Sequence, residues 1–223
     1  MKVGFIGLGK LGQDAASVLA EKHDVTGYDI NTKILNDLNT DYNVQIGSLD
    51  NTCKDKDVVL IAVQTPHDPK YGGETPTSHL EPKDFDYTHL IQAVKDVDDR
   101  VDEGTLIAVI STVLPGTVRR EIMPLIKNGR FIYNPYLIAQ GTVKWDMRNP
   151  EMIMIGTSTG KEDEQSQMLR DLYDPILEKN TRYEIGTWEE IEALKVFYNT
   201  FITAKLCLVN MIQDVAMKVG NIN

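Results

Sequence analysis

A doubly wound parallel α/β sheet followed by one long α-helix is the architecture predicted for this chain of 223 residues. Three observations predict it. A glycine-rich turn, Gly7-Leu8-Gly9-Lys10-Leu11-Gly12, directly follows a short apolar run. Strand-like runs then alternate with helical spacings down most of the chain. Last, the stretch from Trp188 to Val219 contains neither glycine nor proline. Alternation of this β-α-β kind builds a parallel sheet with helices on both faces. The chain therefore divides into a sheet domain, 1–186, and a long helical segment, 187–223.

The elements follow in order. Val3 to Ile6 is the first strand, and residues 10–21 carry helical spacing through Leu11, Ala15, Val18 and Leu19. Val25 to Tyr28 is the second strand, followed by a helix from Asn31 to Leu38 and a weak third strand at Val44 to Ile46. Val58 to Val63 is apolar at every position, as a strand buried on both faces should be. A polar loop over 64–83 precedes a helix from Phe85 to Val97. Leu106 to Ile110 is the fifth strand, Val118 to Ile126 a helix, and Phe131 to Tyr133 the sixth strand. Met152 to Ile155, a helix over 162–172 and Tyr183 to Ile185 complete the sheet domain. From Trp188, apolar residues recur at helical spacing through Ile191, Leu194, Tyr198, Phe201, Ile202, Leu206, Val209, Ile212 and Val215. That is one helix far longer than the usual ~11–12 residues. A single domain cannot cover it, so it is expected to pack on a second domain or on another copy of the chain, as a homodimer.

Composition narrows the function classes. A net charge of −10 offers no basic face for a phosphate backbone, so nucleic acid is not an expected partner. Cys53 and Cys207 form no C-x-x-C or metal-ligand spacing, which suits a reducing cytoplasm. Met1-Lys2 runs straight into a strand rather than a signal segment, and no apolar run is expected to reach membrane-spanning length. His23, His67, His79 and His89 show no ligand spacing, so no metal is expected.

Each position of the glycine motif has a physical task. Gly7 permits the tight turn after the strand, Gly9 lets a pyrophosphate approach the backbone, and Gly12 lets the helix pack close to the sheet. The helix N-terminus offers N–H groups and partial positive charge to phosphates. Asp29 ends the second strand 17 residues after Gly12. A carboxylate there accepts ribose hydroxyls and repels a 2′-phosphate, so NAD is favoured over NADP. Ile30 borders the same site; Lys33 either steadies the adenosine phosphate or stays in solvent. Val63-Gln64-Thr65-Pro66 ends the fourth strand and Ser111-Thr112 the fifth, at the sheet edge where ligands of such folds collect. On the long helix, Lys195 and Asn199 are one turn apart and share a face. An ammonium there can stabilise alkoxide charge as hydride leaves an alcohol carbon, while the amide holds the oxygen in line.

These motifs occur in a definite order: G-L-G-K-L-G at 7–12, Y-D at 28–29, Q-T-P at 64–66, S-T-V-L-P-G-T at 111–117 and N-P-x-x-x-x-x-G at 134–141. With the segment E-A-L-K-V-F-Y-N-T-F at 192–201, they resemble the UDP-glucose/GDP-mannose 6-dehydrogenase family. The resemblance implies an NAD domain, a long helix at a dimer core, and Thr112, Lys195 and Asn199 around the reaction site. Such enzymes oxidise a sugar C6 alcohol to a carboxylate in two hydride transfers, through a cysteine thiohemiacetal and a thioester.

The chain departs from that pattern after the sixth strand. The family has N-P-E-F-L-x-E-G, whereas here Asn134-Pro135-Tyr136-Leu137-Ile138-Ala139-Gln140-Gly141 carries neither glutamate. Neither Tyr136 nor Gln140 can serve as a general base near neutral pH. The family's nucleophilic cysteine would lie downstream of Asn223, as would the domain that grips the nucleotide of the sugar, and Cys207, among apolar neighbours, is expected to be a buried structural thiol. Three readings stay open: the front part of a nucleotide-sugar dehydrogenase unable to complete the thioester step alone, a compact two-electron β-hydroxyacid-type enzyme, and a catalytically silent NAD-binding dimerisation protein.

Overall fold

In the computed structural model, which describes residues 1–36, 43–220 and 222, eight strands form one sheet. They are β1 (Lys2–Ile6), β2 (Asp24–Tyr28), β3 (Gln45–Ile46), β4 (Val58–Ile61), β5 (Leu106–Val109), β6 (Arg130–Tyr133), β7 (Met152–Thr157) and β8 (Arg182–Thr187). The spatial order is β3-β2-β1-β4-β5-β6-β7-β8, and the first six strands are parallel. That is the strand order of dinucleotide-binding sheets, with its topological switch between β1 and β4.

The doubly wound sheet is not parallel throughout. β7 runs antiparallel to β6, joined through the single pair Tyr133–Gly156, and β8 is parallel to β7. The segment after β6 contains a short helix, α5 below, that packs against the first helix instead of returning along β6 as a crossover. Without a crossover the chain re-enters the sheet in the opposite sense.

The helices are α1 (Gly12–Leu19), α2 (Thr32–Asn36), α3 (Leu49–Cys53), α4 (Thr88–Asp98), α5 (Val143–Arg148), α6 (Glu164–Tyr173) and α7 (Trp188–Val219). The expected helix over 31–38 is α2 as far as Asn36; residues 37 and 38 lie outside the described residues. α3 and α5 were not evident in the sequence, because five or six residues are too few to display a helical period. The helix expected over 118–126 is instead a π-helical turn, Val118–Ile122, followed by a 3₁₀ turn, Met123–Leu125. Pro124 has no N–H to donate to a regular α-helix at that point.

Apolar residues of the sheet alternate between two cores. In β4, Val58 and Leu60 face one and Val59 and Ile61 the other, all fully buried. Each such side chain contributes about 1.5–3 kcal/mol of burial free energy. These cores fix the strands whose carboxyl ends carry the site.

α7 begins with a capping box. The Glu190 amide donates to Thr187 Oγ1 at 3.3 Å, and the Thr187 amide donates to Glu190 Oε2 at 2.7 Å. Its first turns bury Trp188, Ile191, Glu192 and Lys195. Beyond them the helix leaves the sheet domain, and Phe197, Phe201, Leu206 and Val209 stand exposed. Cys207 lies on this projecting part and is exposed rather than buried, because none of the described residues of the sheet domain covers it. The helix also contains a window long and apolar enough, by length and composition, to cross a membrane, contrary to the expectation that none would.

Candidate cofactor and substrate site

The glycine loop lies at the carboxyl end of β1 and runs into α1. Gly7 has φ of +95°, a left-handed conformation, and its amide donates to Tyr28 O at 2.9 Å. A Cβ on Gly12 would stand 1.9 Å from Gly7 O, so only glycine allows α1 to start where it does. Gly9 differs: among the described residues a Cβ there would meet nothing within 4 Å. The protein itself does not require glycine at that position, whereas a pyrophosphate lying against the backbone would. That open approach beside the N-terminus of α1 fits a dinucleotide's phosphates.

Asp29 closes the loop from the end of β2. Its Oδ2 accepts the Leu8 amide at 2.7 Å and its Oδ1 the Asn31 amide at 2.8 Å. Each carboxylate oxygen keeps a lone pair for a ribose hydroxyl. Lys10, Leu11, Ile30 and Lys33 are exposed around this crevice. At the end of β4, Val63 and Thr65 are half-buried, with Gln64 and Pro66 exposed. Two of the hydroxyls expected to meet ligand bind backbone instead. Thr65 Oγ1 donates to Thr112 O at 2.7 Å, and Ser111 Oγ donates to Val63 O at 2.6 Å. They lace the ends of β4 and β5 together and retain only acceptor capacity toward a ribose.

Lys195 and Asn199 face a cleft of about 680 Å³ between α7 and the segment after β6, lined also by Leu137, Glu151 and Tyr198. Thr112 opens instead onto a neighbouring cavity of about 460 Å³ with Phe85 and Val196. Asn199 and Thr203 border both, so the helix forms the ridge between them. The three expected catalytic residues therefore meet through Asn199 rather than around one cavity.

Lys195 is 7% exposed, and its Nζ donates to Tyr136 O at 2.7 Å. Among the described residues no carboxylate lies within ion-pairing distance of it. Burial holds its ammonium below the ordinary lysine range. Tyr136, which stands where the family pattern has a glutamate, thus serves the site through its carbonyl. Its phenol belongs to a buried relay: Tyr173 Oη donates to Asn134 Oδ1 at 2.5 Å, and Asn134 Nδ2 to Met154 O at 2.8 Å. Tyr173 has one proton, so the 2.7 Å contact between the two phenols is donated by Tyr136. Burial raises the Tyr136 pKa, and the phenol cannot act as a base.

Sequence reasoning missed Glu192. This fully buried carboxylate accepts the Gly116 amide at 2.5 Å and the Val118 amide at 2.6 Å, tying the loop after β5 to α7. Burial raises its pKa, while the two amides oppose the shift. An acidic residue one turn before Lys195, on the buried face of an apolar helix, was the available signal. Glu192→Gln should cost about 1–3 kcal/mol, because the new amide turns a donor toward one of two backbone donors. A thermal melt with an unchanged midpoint would overturn this.

Strand order, glycine turn and strand-end carboxylate together define an NAD-binding dehydrogenase domain. The family model described as UDP-glucose/GDP-mannose dehydrogenase family, NAD binding domain, matches residues 42–177, and the NAD binding domain of 6-phosphogluconate dehydrogenase matches residues 2–72. The chain belongs to the UDP-glucose/GDP-mannose dehydrogenase family, and its cofactor is NAD. It is 25% identical to UDP-N-acetyl-D-glucosamine 6-dehydrogenase of Salmonella typhi over 94% of its own length and 51% of that protein's. UDP-glucose 6-dehydrogenase of Rickettsia prowazekii is 27% identical over 66% of this chain and 33% of its own. The chain thus spans about half or less of the length of these curated relatives. The fold is that of GDP-mannose dehydrogenase from Pseudomonas aeruginosa, with a TM-score of 0.80 at 22% identity over 99% of this chain and 54% of that one. 3-Hydroxyisobutyrate dehydrogenase of Mycobacterium tuberculosis shares the fold at a TM-score of 0.69 and 17% identity, over 98% of this chain and 66% of that one.

Proposed function

We propose that this chain carries the NAD-binding and hydride-transfer part of a dehydrogenase acting on the primary alcohol of a nucleotide sugar. The observation behind this reading is Lys195: a buried ammonium with no carboxylate partner among the described residues, held by a backbone carbonyl at an open cleft. Keeping a cation out of water without an anion is costly. A site that stabilises negative charge developing on a substrate oxygen gives that cost a purpose.

NAD, when bound, accepts the hydride from the alcohol carbon. The chain's residues do the rest. Lys195 faces the oxygen as its proton leaves to solvent and a carbonyl forms, and the Asn199 amide holds that oxygen in line. Asp29 and the glycine loop hold the adenosine half of the cofactor, and Glu192 keeps the Thr112 loop against α7. Nothing at position 136 or 140 supplies a base for thioester hydrolysis, so the proposed reaction of these residues is a two-electron oxidation to the aldehyde. The exposed apolar part of α7 supports a homodimer formed through that helix.

The experiment is NADH production by the purified chain, followed by absorbance, with UDP-glucose, GDP-mannose and small β-hydroxyacids, alongside NAD binding by calorimetry. Turnover of a sugar nucleotide with one NADH per substrate is the expected result. Turnover of hydroxyacids alone would favour the compact-dehydrogenase reading. NAD binding without any turnover would favour the silent one.

A further inference from the structure

The chemistry proposed above makes no use of the Tyr173 side chain. This phenol is 2% exposed, at the end of α6, between the side chains of Asn134 and Tyr136. Buried polar groups keep their hydrogen bonds, so the direction of each bond can be worked out. Met154 O on β7 can only accept, and the Asn134 amide therefore turns its Nδ2 toward it, at 2.8 Å. Asn134 Oδ1 is left to accept, and Tyr173 donates to it. With its one proton committed, the Tyr173 oxygen accepts from Tyr136 at 2.7 Å. The two rings also meet edge to face, with centroids 6.1 Å apart.

The far end of this relay is the reaction site. Tyr136 belongs to 134–139, a segment in neither helix nor strand, so no regular ladder fixes its peptide planes. Its phenol supplies an anchor on one side, and its carbonyl on the other accepts from Lys195 Nζ at 2.7 Å. A reacting group stays within about 0.5 Å of its working geometry only when the residues behind it are themselves locked. We infer that Tyr173 is a positioning residue for hydride transfer: anchored through Asn134 to β7, it holds the Tyr136 phenol and thereby sets the carbonyl that aims Lys195. This deepens the hydride-transfer reading above, on which it rests.

The test reads Lys195 directly and needs no substrate. The pH dependence of its acylation by acetic anhydride is followed by mass spectrometry on the full chain. Wild type is compared with Tyr173→Phe and Tyr136→Phe, and with Tyr183→Phe as control. The Tyr183 phenol donates to Asp174, next to Tyr173, but lies outside the relay. A carbonyl in line favours the charged amine, so loosening it lowers the Lys195 pKa further. Both relay variants should move the acylation midpoint down by about 1 pH unit, the tenfold change expected on losing one hydrogen bond to a charge. Tyr183→Phe should leave it in place. The cleft's other titratable groups, Asp146, Glu151, Lys179 and Tyr198, are the same in every variant. With a substrate that wild type turns over, kcat should fall by about 10- to 10²-fold in both relay variants, as when a reacting group is misplaced, and KM should change much less. A wild-type midpoint in either folded relay variant overturns the inference, whatever its melting temperature. An equal shift in Tyr183→Phe overturns it too, because that is a general loosening of α6. Should Tyr173→Phe not fold, Tyr136→Phe decides alone. Failure of the titration leaves the nucleotide-sugar reading standing, whereas absence of sugar-nucleotide turnover in wild type brings down that reading and leaves the relay to the titration.

Discussion

Replacing Lys195 with methionine should lower turnover by about 10²–10³-fold, the usual loss when one donor to a developing oxyanion is removed, while NAD affinity stays as it was. The separation follows from geometry. Lys195 faces the cleft beyond Tyr136, whereas the crevice fitted to the adenosine half lies at the ends of β1 and β2. Methionine keeps the stem buried and leaves the Tyr136 carbonyl without its donor, so a melt must accompany the kinetics. The pH dependence follows from the same burial. The active form is the ammonium, and desolvation lowers its pKa. Activity should therefore be present below that pKa and fall as pH rises through it, an alkaline limb below the ordinary lysine value of about 10.4. Lys195→Arg, charged throughout, should lose the limb while retaining part of the rate. Wild-type turnover in Lys195→Met, or an unchanged limb in Lys195→Arg, would remove Lys195 from the chemistry.

Much of this arrangement was legible in the sequence for identifiable reasons. Glycine at 7, 9 and 12, a carboxylate ending the second strand and a lysine–asparagine pair one turn apart are local signals, and each stands at a strand end or on one helix face in the structure. What stayed hidden depends on distant partners. Thr65 and Ser111 were readable as hydroxyls at strand ends, but only the pairing of β4 with β5 brings a carbonyl to each. Glu192 finds its two amides more than seventy residues away in sequence. The reversal of β7 depends on where α5 packs, and the exposure of Cys207 on where α7 leaves the sheet domain. The Tyr136 phenol was rightly excluded as a base from its chemistry alone, yet its place in a relay with Tyr173 and Asn134 could come only from the fold.

Alanine at Gly9 and at Gly12 should separate cofactor binding from folding within one six-residue motif. At Gly12 the added carbon would lie 1.9 Å from Gly7 O and 3.2 Å from Phe5 Cε1. The first contact is with backbone, which cannot turn aside without moving α1 from the sheet. Overpacking of this kind costs about 1–3 kcal/mol, sometimes more. For a chain of this size that lowers the melting midpoint by roughly 2–12 °C. At Gly9 the carbon meets no atom of the described residues within 4 Å and the φ is not left-handed, so the fold should melt as wild type does. The cost appears only when a pyrophosphate takes the same space, where a clash of similar size weakens NAD binding about 5- to 150-fold. Calorimetry with NAD and a thermal melt on both variants decide it. Gly9→Ala binding NAD as tightly as wild type would show that the pyrophosphate does not pass over this loop. Gly9→Ala melting as low as Gly12→Ala would show instead that Gly9 serves the fold, and the loop's open face would need another explanation.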